Sequence, residues 1–490
     1  MLGLLGVLLA LGGLITLAYR GWSVVLLAPV AAAVATLFAL EAPLLASYTQ
    51  IYMPALGRFI IAFFPLFLLG ALFGRLMDDT GAARRIADSV SGALGPERAI
   101  LATVLACAAL TYGGVSLFVV AFAVYPVADA LFRAGGVPKR LLPAAIALGA
   151  FTFTMSALPG APAIQNAIPM PFFGTTPFAA PGIGLIAGAI MLLGGLAWLD
   201  RCRARSLAED PAAPPYLAGL PPEIVEEIEA KGISAVQPVG AAGFTPASEP
   251  APGPALWLAA LPIALVIGLN FLLSVHIFPA LDTSYLAEPA FGAVTIDAVR
   301  GVWAIIVALC AAILSLLAIS LMDAPGARPI DHKASLMAGA DASIAPLFNT
   351  ASLVGFGAVV ASLPAFALVR AGVEGLSADP VIGLAISASV LAGLTGSASG
   401  GMTIALDALG ADALAAATAS GVAPELLHRV TTLATGGLDA LPHNGAVVTL
   451  LAICGLGHRQ AYGPIFAVAV AIPLAALAAA LALGGLFGAF

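Results

Sequence analysis

The chain has 490 residues, of which 61% are hydrophobic and 9% charged. A soluble domain carries about 45–50% apolar and about 25% charged residues, so this chain has too few charges to cover a water-exposed surface. A net charge of −7 leaves no basic face for nucleic acid, and long unbroken apolar runs exclude an outer-membrane barrel. The fold class is an all-α polytopic membrane protein.

In chain order, ten apolar runs are long enough to cross a bilayer: 2–19, 22–40, 51–77, 141–172, 182–199, 255–275, 298–322, 336–369, 425–456 and 461–487. The first has no leading Lys or Arg and no clear cleavage site, so it reads as a retained span. Two pairs of shorter segments, 98–110 with 117–132 and 380–394 with 402–413, are each joined by a Gly/Ser/Thr cluster. They predict re-entrant hairpins over 98–132 and 380–413. The amphipathic stretch FGRLMDDTGAARRIADSV (73–90) predicts a surface helix leading into the first hairpin. Residues 201–253 form a polar, Pro-rich linker, with a short surface helix expected over 222–232.

That linker divides a first membrane repeat, 1–200, from a second, 254–490, with five crossings and one hairpin in each. The broken helices are 141–172 and 425–456. An odd crossing number per half inverts one half relative to the other. With the N-terminus outside, 15 of the 19 Lys and Arg fall on the inner side, leaving Arg58, Arg300, Arg370 and Arg429 on or near the outer side. This predicts a multi-pass protein of a bacterial-type inner membrane, with both termini outside and the linker cytoplasmic.

Local motifs repeat in the same order. Gly113-Gly114 maps to Gly400-Gly401 at an offset of 287, Val137 to Val422 at 285, and Ala157-Leu158-Pro159 to Ala440-Leu441-Pro442 at 283. Inverted repeats with interrupted helices mark secondary transporters whose substrate binds near the midplane. Unwound backbone at that depth is tolerated only where it lines a cavity or is buried in protein.

Four segments are therefore expected to meet at the substrate. The hairpin tips supply Thr111, Tyr112, Gly113, Gly114 and Ser116, and Thr395, Ser397, Ser399, Gly400 and Gly401. The breaks run from Ser156 to Asn166, including Gly160 and Gln165, and from Asp439 to Gly445, including His443 and Asn444. Pro159, Pro162 and Pro442 each remove a backbone donor. Glycine allows close backbone approach, and helix N-termini favour an anion. The set suits a small carboxylate carrying a hydroxyl. Gly, Ser and Thr also serve plain helix packing, and Gln165, Asn166 and Asn444 are equally suited to capping the broken helices. His443 titrates near neutrality and sits inside an apolar span, so it is the expected proton-coupling group, with Asp439 four residues earlier as partner or rival. Asp129 and Asp407 read as solvated hairpin-end charges, and His276, His332, His428 and His458 as interfacial.

Cys107, Cys202, Cys310 and Cys454 show no metal-type spacing, and no disulfide, metal site or cofactor is expected. No HExxH, nucleophile elbow, paired catalytic carboxylates or Walker A occurs, so neither an enzyme nor an ATP-driven pump is expected.

FGRLMDDTGAA (73–83), YGGVSLFV (112–119), TMSALPGAPAIQNAIP (154–169), TGSASGGM (395–402) and GGLDALPHNGAVVTLL (436–451) resemble blocks of the gluconate permease (GntP) family within the ion-transporter superfamily. The ALPG…QN and DALPHNG forms are more similar to the branch associated with β-hydroxybutyrate permeases. The resemblance implies proton-coupled uptake of a small hydroxycarboxylate such as 3-hydroxybutyrate by a homodimer with an elevator-type motion. Gluconate or another short acid, and Na+ in place of H+, remain open at the level of sequence. A passive anion channel would share the breaks, but the inverted repeat favours alternating access.

Overall fold

In hydrocarbon every backbone N–H and C=O needs an internal partner, which restricts an apolar chain of this kind to helices. The computed structural model describes residues 2–19, 22–40, 42–115, 117–211, 213–222, 225–226, 254–321, 330–366, 379–442 and 444–490. Among these there is no strand. Ser116, His443 and residues 227–253 of the expected linker lie outside the described residues.

The chain opens with α1 (Leu2–Tyr19) and α2 (Val24–Ala39), which pack on each other. Next come α3 (Leu44–Asp79) and the amphipathic α4 (Ala82–Leu94). The expected surface helix over 73–90 is thus split. Its first turns complete α3, and Gly81, at φ 76°, turns the chain into α4. Helix α4 buries Ala82, Ala83, Ile86 and Ala87 and turns Arg84 and Asp88 outward, 4.0 Å apart.

Hairpin one is α5 (Ala99–Tyr112) and α6 (Leu117–Ala134). The segment Pro96–Tyr112 leaves α4 at 104°. The first broken helix follows as α7 (Leu142–Ala150), α8 (Phe153–Ser156), α9 (Ile164–Ala167) and α10 (Pro169–Phe173). Helix α11 (Pro181–Glu209) ends the first half ten residues beyond the expected span end. The second half comprises α12 (Leu256–Ala280), α13 (Ile296–Leu321) and α14 (His332–Ser362). Hairpin two is α15 (Pro380–Thr395) and α16 (Ala398–Ala419), and the second broken helix is α17 (Pro424–Leu438) and α18 (Gly445–Ile453). Helix α19 (His458–Phe487) closes the fold.

Seven helices among the described residues are long and apolar enough to cross a membrane singly: α3, α11, α12, α13, α14, α16 and α19. The protein is a polytopic helical membrane protein. The other expected crossings are the shorter α1 and α2 and the two interrupted helices. Helix α16 departs from expectation. At 22 residues it is about 33 Å long, enough for the hydrocarbon core, where a short re-entrant arm was expected. Ser397 caps it at the tip by accepting from Gly400 N, and no breaker intervenes before Gly421.

Packing follows a pairwise pattern. Helix α3 lies along α14; α1 packs on α2, and α12 on α13; α2 meets α14, and α13 meets α3. The first arm of each hairpin packs on the first segment of its own half's broken helix, α5 on α7 and α15 on α17. The second arms pack across the halves, α6 on α18 and α16 on α9 and α10.

The start of the expected linker is docked, not free. Lys139 N donates to Tyr216 O at 2.8 Å, and Arg203 Nη2 donates to Gly135 O at 2.9 Å. Tyr216 donates to Asp129, and the Arg133 guanidinium sits 4.2 Å above its ring. Burial, then the Asp129 carboxylate, raises the Tyr216 pKa and keeps the phenol protonated. Asp129 is thus tied to Tyr216 and to Arg133, at 2.9 Å, and is not the free hairpin-end charge expected; Asp407 is exposed on α16.

The two arms of hairpin two touch where a Cβ at Gly401 would overlap the Ala392 backbone. Gly401→Ala is expected to cost about 1–3 kcal/mol by overpacking and to lower the thermal midpoint in detergent. Gly57→Ala on α3, where a Cβ meets nothing within 4 Å, is the control and is expected to leave the midpoint unchanged or slightly raised. Equal midpoints for Gly401→Ala and the parent would refute the close approach.

Candidate substrate site at the helix breaks

Unwinding residues 157–163 frees carbonyls that water does not reach, so the protein must supply donors. Tyr112, Asn270 and Asn166 supply them, to Pro159, Gly160 and Ala161, while Arg429 on α17, which is fully buried, braces the flanking Ser156 and the turn at 177–179. Its Nε donates to Ala179 O at 3.0 Å, and Nη2 to Ala179 O at 2.8 Å and Pro177 O at 3.2 Å. Its Nη1 reaches Ser156 O at 3.4 Å and Asn166 Oδ1 at 3.3 Å. All five N–H groups are engaged with neutral oxygens. A buried charge is costly unless its donors are used, and here the break supplies what the guanidinium needs.

His428, also fully buried, lies beside it. Its Nε2 is 3.1 Å from Asn166 Oδ1 and its Nδ1 is 2.6 Å from Thr175 Oγ1. Asn166 Nδ2 donates to Ala161 O at 3.0 Å and Pro177 O at 2.9 Å. Both ends of the Asn166 amide are therefore spent on closing the break. These positions correct two expectations. His428 is not interfacial but fully buried, and so is Arg429, which the charge count set on or near the outer side. Pro424 fixes the first turn of α17, which places both residues in its second turn, inside the protein. That Pro424 start was the sequence signal for them.

The tip of hairpin one reaches the same break. Tyr112 OH donates to Pro159 O at 2.6 Å. Gly114, at φ 95°, packs on Pro162, and a Cβ on Gly113 would stand 2.6 Å from Ile263 of α12. Asn270, further along α12, donates from Nδ2 to Gly160 O at 3.2 Å. Gly160 itself holds φ 81° against the Phe178 ring. Gln165 is buried. The hydroxyl of Ser156 would stand 2.8 Å from a Cβ on Gly436, so the two broken helices cross there.

The second break is closed by an amide, an imidazole and a phenol. Asn444 caps α18 by accepting from Ala446 N at 2.6 Å and Val447 N at 3.1 Å. Its Nδ2 donates to Asp439 O at 2.7 Å and to Gly396 O, at the hairpin-two tip, at 2.9 Å. His458 Nε2 takes Pro442 O at 2.8 Å and Tyr462 OH takes Ala440 O at 3.1 Å. His458, half-buried at the first residue of α19, is thus a structural partner of the break.

At the tip, Gly396 turns at φ 62°, Thr395 Oγ1 donates back to Leu391 O, and Ser397 caps α16. Ser399 lies 3.4 Å from Ser397 Oγ and 3.5 Å from Thr350 Oγ1 of α14. Gly400 packs on Leu353. The start of α16 therefore lies beside the start of α18. Half-buried Asp439 leaves a buried Oδ1 without a hydrogen-bond partner among the described residues. The observed bonds tie each tip to the break of its own half, and His428, Arg429 and the Ser156–Gly436 crossing tie the two breaks to α17.

No protein-family model matches the chain. It is 40% identical over 487 residues to a Bacillus subtilis (strain 168) protein named "Uncharacterized transporter YxjC", and the match covers 98% of each chain. The chain belongs to that transporter family. In this member the carbonyl clamp at Arg429 joins residues about 250 positions apart in the chain.

Arg429→Gln strips donors from the carbonyls of Ser156, Pro177 and Ala179, and each unmet buried acceptor costs about 1–3 kcal/mol. The variant is expected to unfold at a clearly lower temperature than the parent in detergent. Arg429→Lys, which keeps the charge but not the fork, should fall between them. Three coincident melting curves would show that the clamp carries no stability.

Proposed function

We propose that this protein is a secondary active transporter, a proton-coupled symporter that imports a small hydroxycarboxylate such as 3-hydroxybutyrate across a bacterial inner membrane. The observation that carries the reading is at the second break. Asn444 caps α18 and bonds Gly396 O, two residues before α16 begins, which brings two helix starts near each other, and helix N-termini favour an anion. Half-buried Asp439 nearby offers a buried carboxylate oxygen, unpartnered among the described residues, for a proton. Binding of anion and proton together moves no net charge for a monovalent acid. The motif resemblance to gluconate and β-hydroxybutyrate permeases points to the same substrate class, and the 40%-identical relative is itself named a transporter.

The packing also supports two inverted repeats, 1–200 and 254–490. Several contacts of the first half have a counterpart in the second: α1 on α2 and α12 on α13, α5 on α7 and α15 on α17, α6 on α18 and α16 on α9 and α10. Such a pair of copies gives a carrier two related end states. In the elevator form of this reading, hairpins and breaks move past a scaffold of α3 and α12–α14, within a homodimer. Observed contacts across that boundary include Gly113 on Ile263, Gly400 on Leu353 and Gly357 on Ile404. These are apolar and non-directional, and beside them the boundary is crossed by the Asn270–Gly160 and Thr350–Ser399 hydrogen bonds, which sliding has to break.

The coupling test is uptake into proteoliposomes with pH and Na+ gradients imposed separately. Parent protein is expected to concentrate 3-hydroxybutyrate under an inward proton gradient and to lose this with a protonophore. Asp439→Asn is expected to retain substrate exchange and lose pH-driven accumulation, with His443→Gln as the companion variant. Accumulation driven by Na+ alone, preference for gluconate, or passive equilibration would each replace the corresponding part of the reading.

The motion has its own test. Thr350→Cys with Ser399→Cys, on a background lacking the four native cysteines, places two thiols where the hydroxyls stand 3.5 Å apart across the boundary. Oxidation should stop uptake, and reduction should restore it. Full uptake by the crosslinked protein would rule out movement of hairpin two against α14.

A further inference from the structure

A polar, Pro-rich linker buries its few large side chains only where it docks. In the strap 213–222, Tyr216, Leu217, Ala218 and Leu220 are all buried. Three hydrogen bonds fix the strap to the base of hairpin one. Tyr216 O takes the Lys139 N–H at 2.8 Å, Tyr216 OH donates to Asp129, and Gly219 O takes Arg140 Nη1 at 3.4 Å. The Arg133 guanidinium, bonded to Asp129 at 2.9 Å, covers the Tyr216 ring. Gly136 faces Pro215 so closely that a Cβ on it would stand 3.5 Å from the Pro215 Cβ. The overhanging end of α11 joins the same base, where Arg203 Nη2 donates to Gly135 O at 2.9 Å.

The repeated motifs supply an internal comparison. Gly136-Val137 after α6 corresponds to Gly421-Val422 after α16, at the offset of 285. Both glycines are left-handed, at φ 59° and 74°. Val137 is fully buried, whereas Val422 is half-buried. Gly421 is exposed, and a Cβ on it meets nothing within 4 Å. The same turn thus stands uncovered at hairpin two, so the fold of the turn does not require a strap. The cover is an addition to one hairpin only.

What the strap grips leads to the first break. A Cβ on Gly135 would overlap Pro96 O, which joins the feet of both arms of hairpin one. At the far end of those arms, Tyr112 bonds Pro159 O and Gly114 packs on Pro162. Hairpin one is therefore held at its tip by the break and at its base by the strap. We propose that residues 213–222 are a latch on hairpin one. On the face where the linker lies, the carrier opens only when the strap releases the base, whereas hairpin two opens on the other face without such a restraint. This rests on the transporter reading above and holds whichever acid is carried.

The test locks the strap. Gly136→Cys with Pro215→Cys, on the background lacking the four native cysteines, sets two Cβ atoms at a spacing that suits a disulfide. Oxidation is expected to abolish uptake of 3-hydroxybutyrate into proteoliposomes, to leave its thermal shift intact, and to be reversed by a reductant. Unchanged uptake after complete crosslinking overturns the latch. Loss of the thermal shift together with uptake also overturns it, because the crosslink then acts by distorting the site. Tyr216→Phe gives a second measurement, since it keeps the ring and removes the bond to Asp129. Amide hydrogen exchange at residues 133–141 is expected to rise about tenfold, the worth of one hydrogen bond to a charged group, with no change at residues 420–426. Equal exchange at 133–141 in variant and parent overturns the latch even where the cysteine pair fails to fold. If the parent carries no 3-hydroxybutyrate, the proposed function falls, and the hydrogen-exchange rates still decide the latch.

Discussion

Dry backbone is the constraint on which this structure turns. Two helices are opened inside an apolar protein, and each opening leaves carbonyls and amides that the bilayer does not solvate. In the first opening Tyr112, Asn270 and Asn166 meet Pro159, Gly160 and Ala161, and Arg429 gathers the flanking Ser156, Pro177 and Ala179 and shares Asn166 with His428. In the second, Asn444, His458 and Tyr462 each take a carbonyl. The first break alone is flanked by a buried guanidinium.

That difference assigns unlike tasks to the two breaks. With every guanidinium N–H engaged, Arg429 stiffens the first break and offers nothing to a ligand directly. The second break keeps a carboxylate oxygen at Asp439 that is unpartnered among the described residues, and in the proposed reading it is the one that takes the ion. Stiffness and reactivity are thus distributed over neighbouring segments rather than combined in one.

Much of the architecture was legible because its causes are local. Apolar run length set the helices, and the prolines at 159, 162 and 442 set the breaks within a residue or two. The glycine clusters set the hairpin tips. The length of α16 was misjudged because polar residues near its start, Ser397 and Ser399, read as loop when Ser397 in fact caps the helix. The site was less legible because its causes are remote. A single His-Arg pair near a span end looks interfacial by hydropathy, and only a loop 250 residues away in the chain makes it buried. Asn270 is likewise one amide in an apolar helix until Gly160 is brought to it.

The Arg429 clamp also bears on how the protein comes to exist. Membrane proteins are threaded into the bilayer from the N-terminus as they are made. The carbonyls of Ser156, Pro177 and Ala179 enter early, whereas their donor is synthesised only after α12 to α16 have been laid down. Until then the Ala179 carbonyl has no guanidinium to meet it, so this joint between distant parts of the chain closes only late, once α17 is in place.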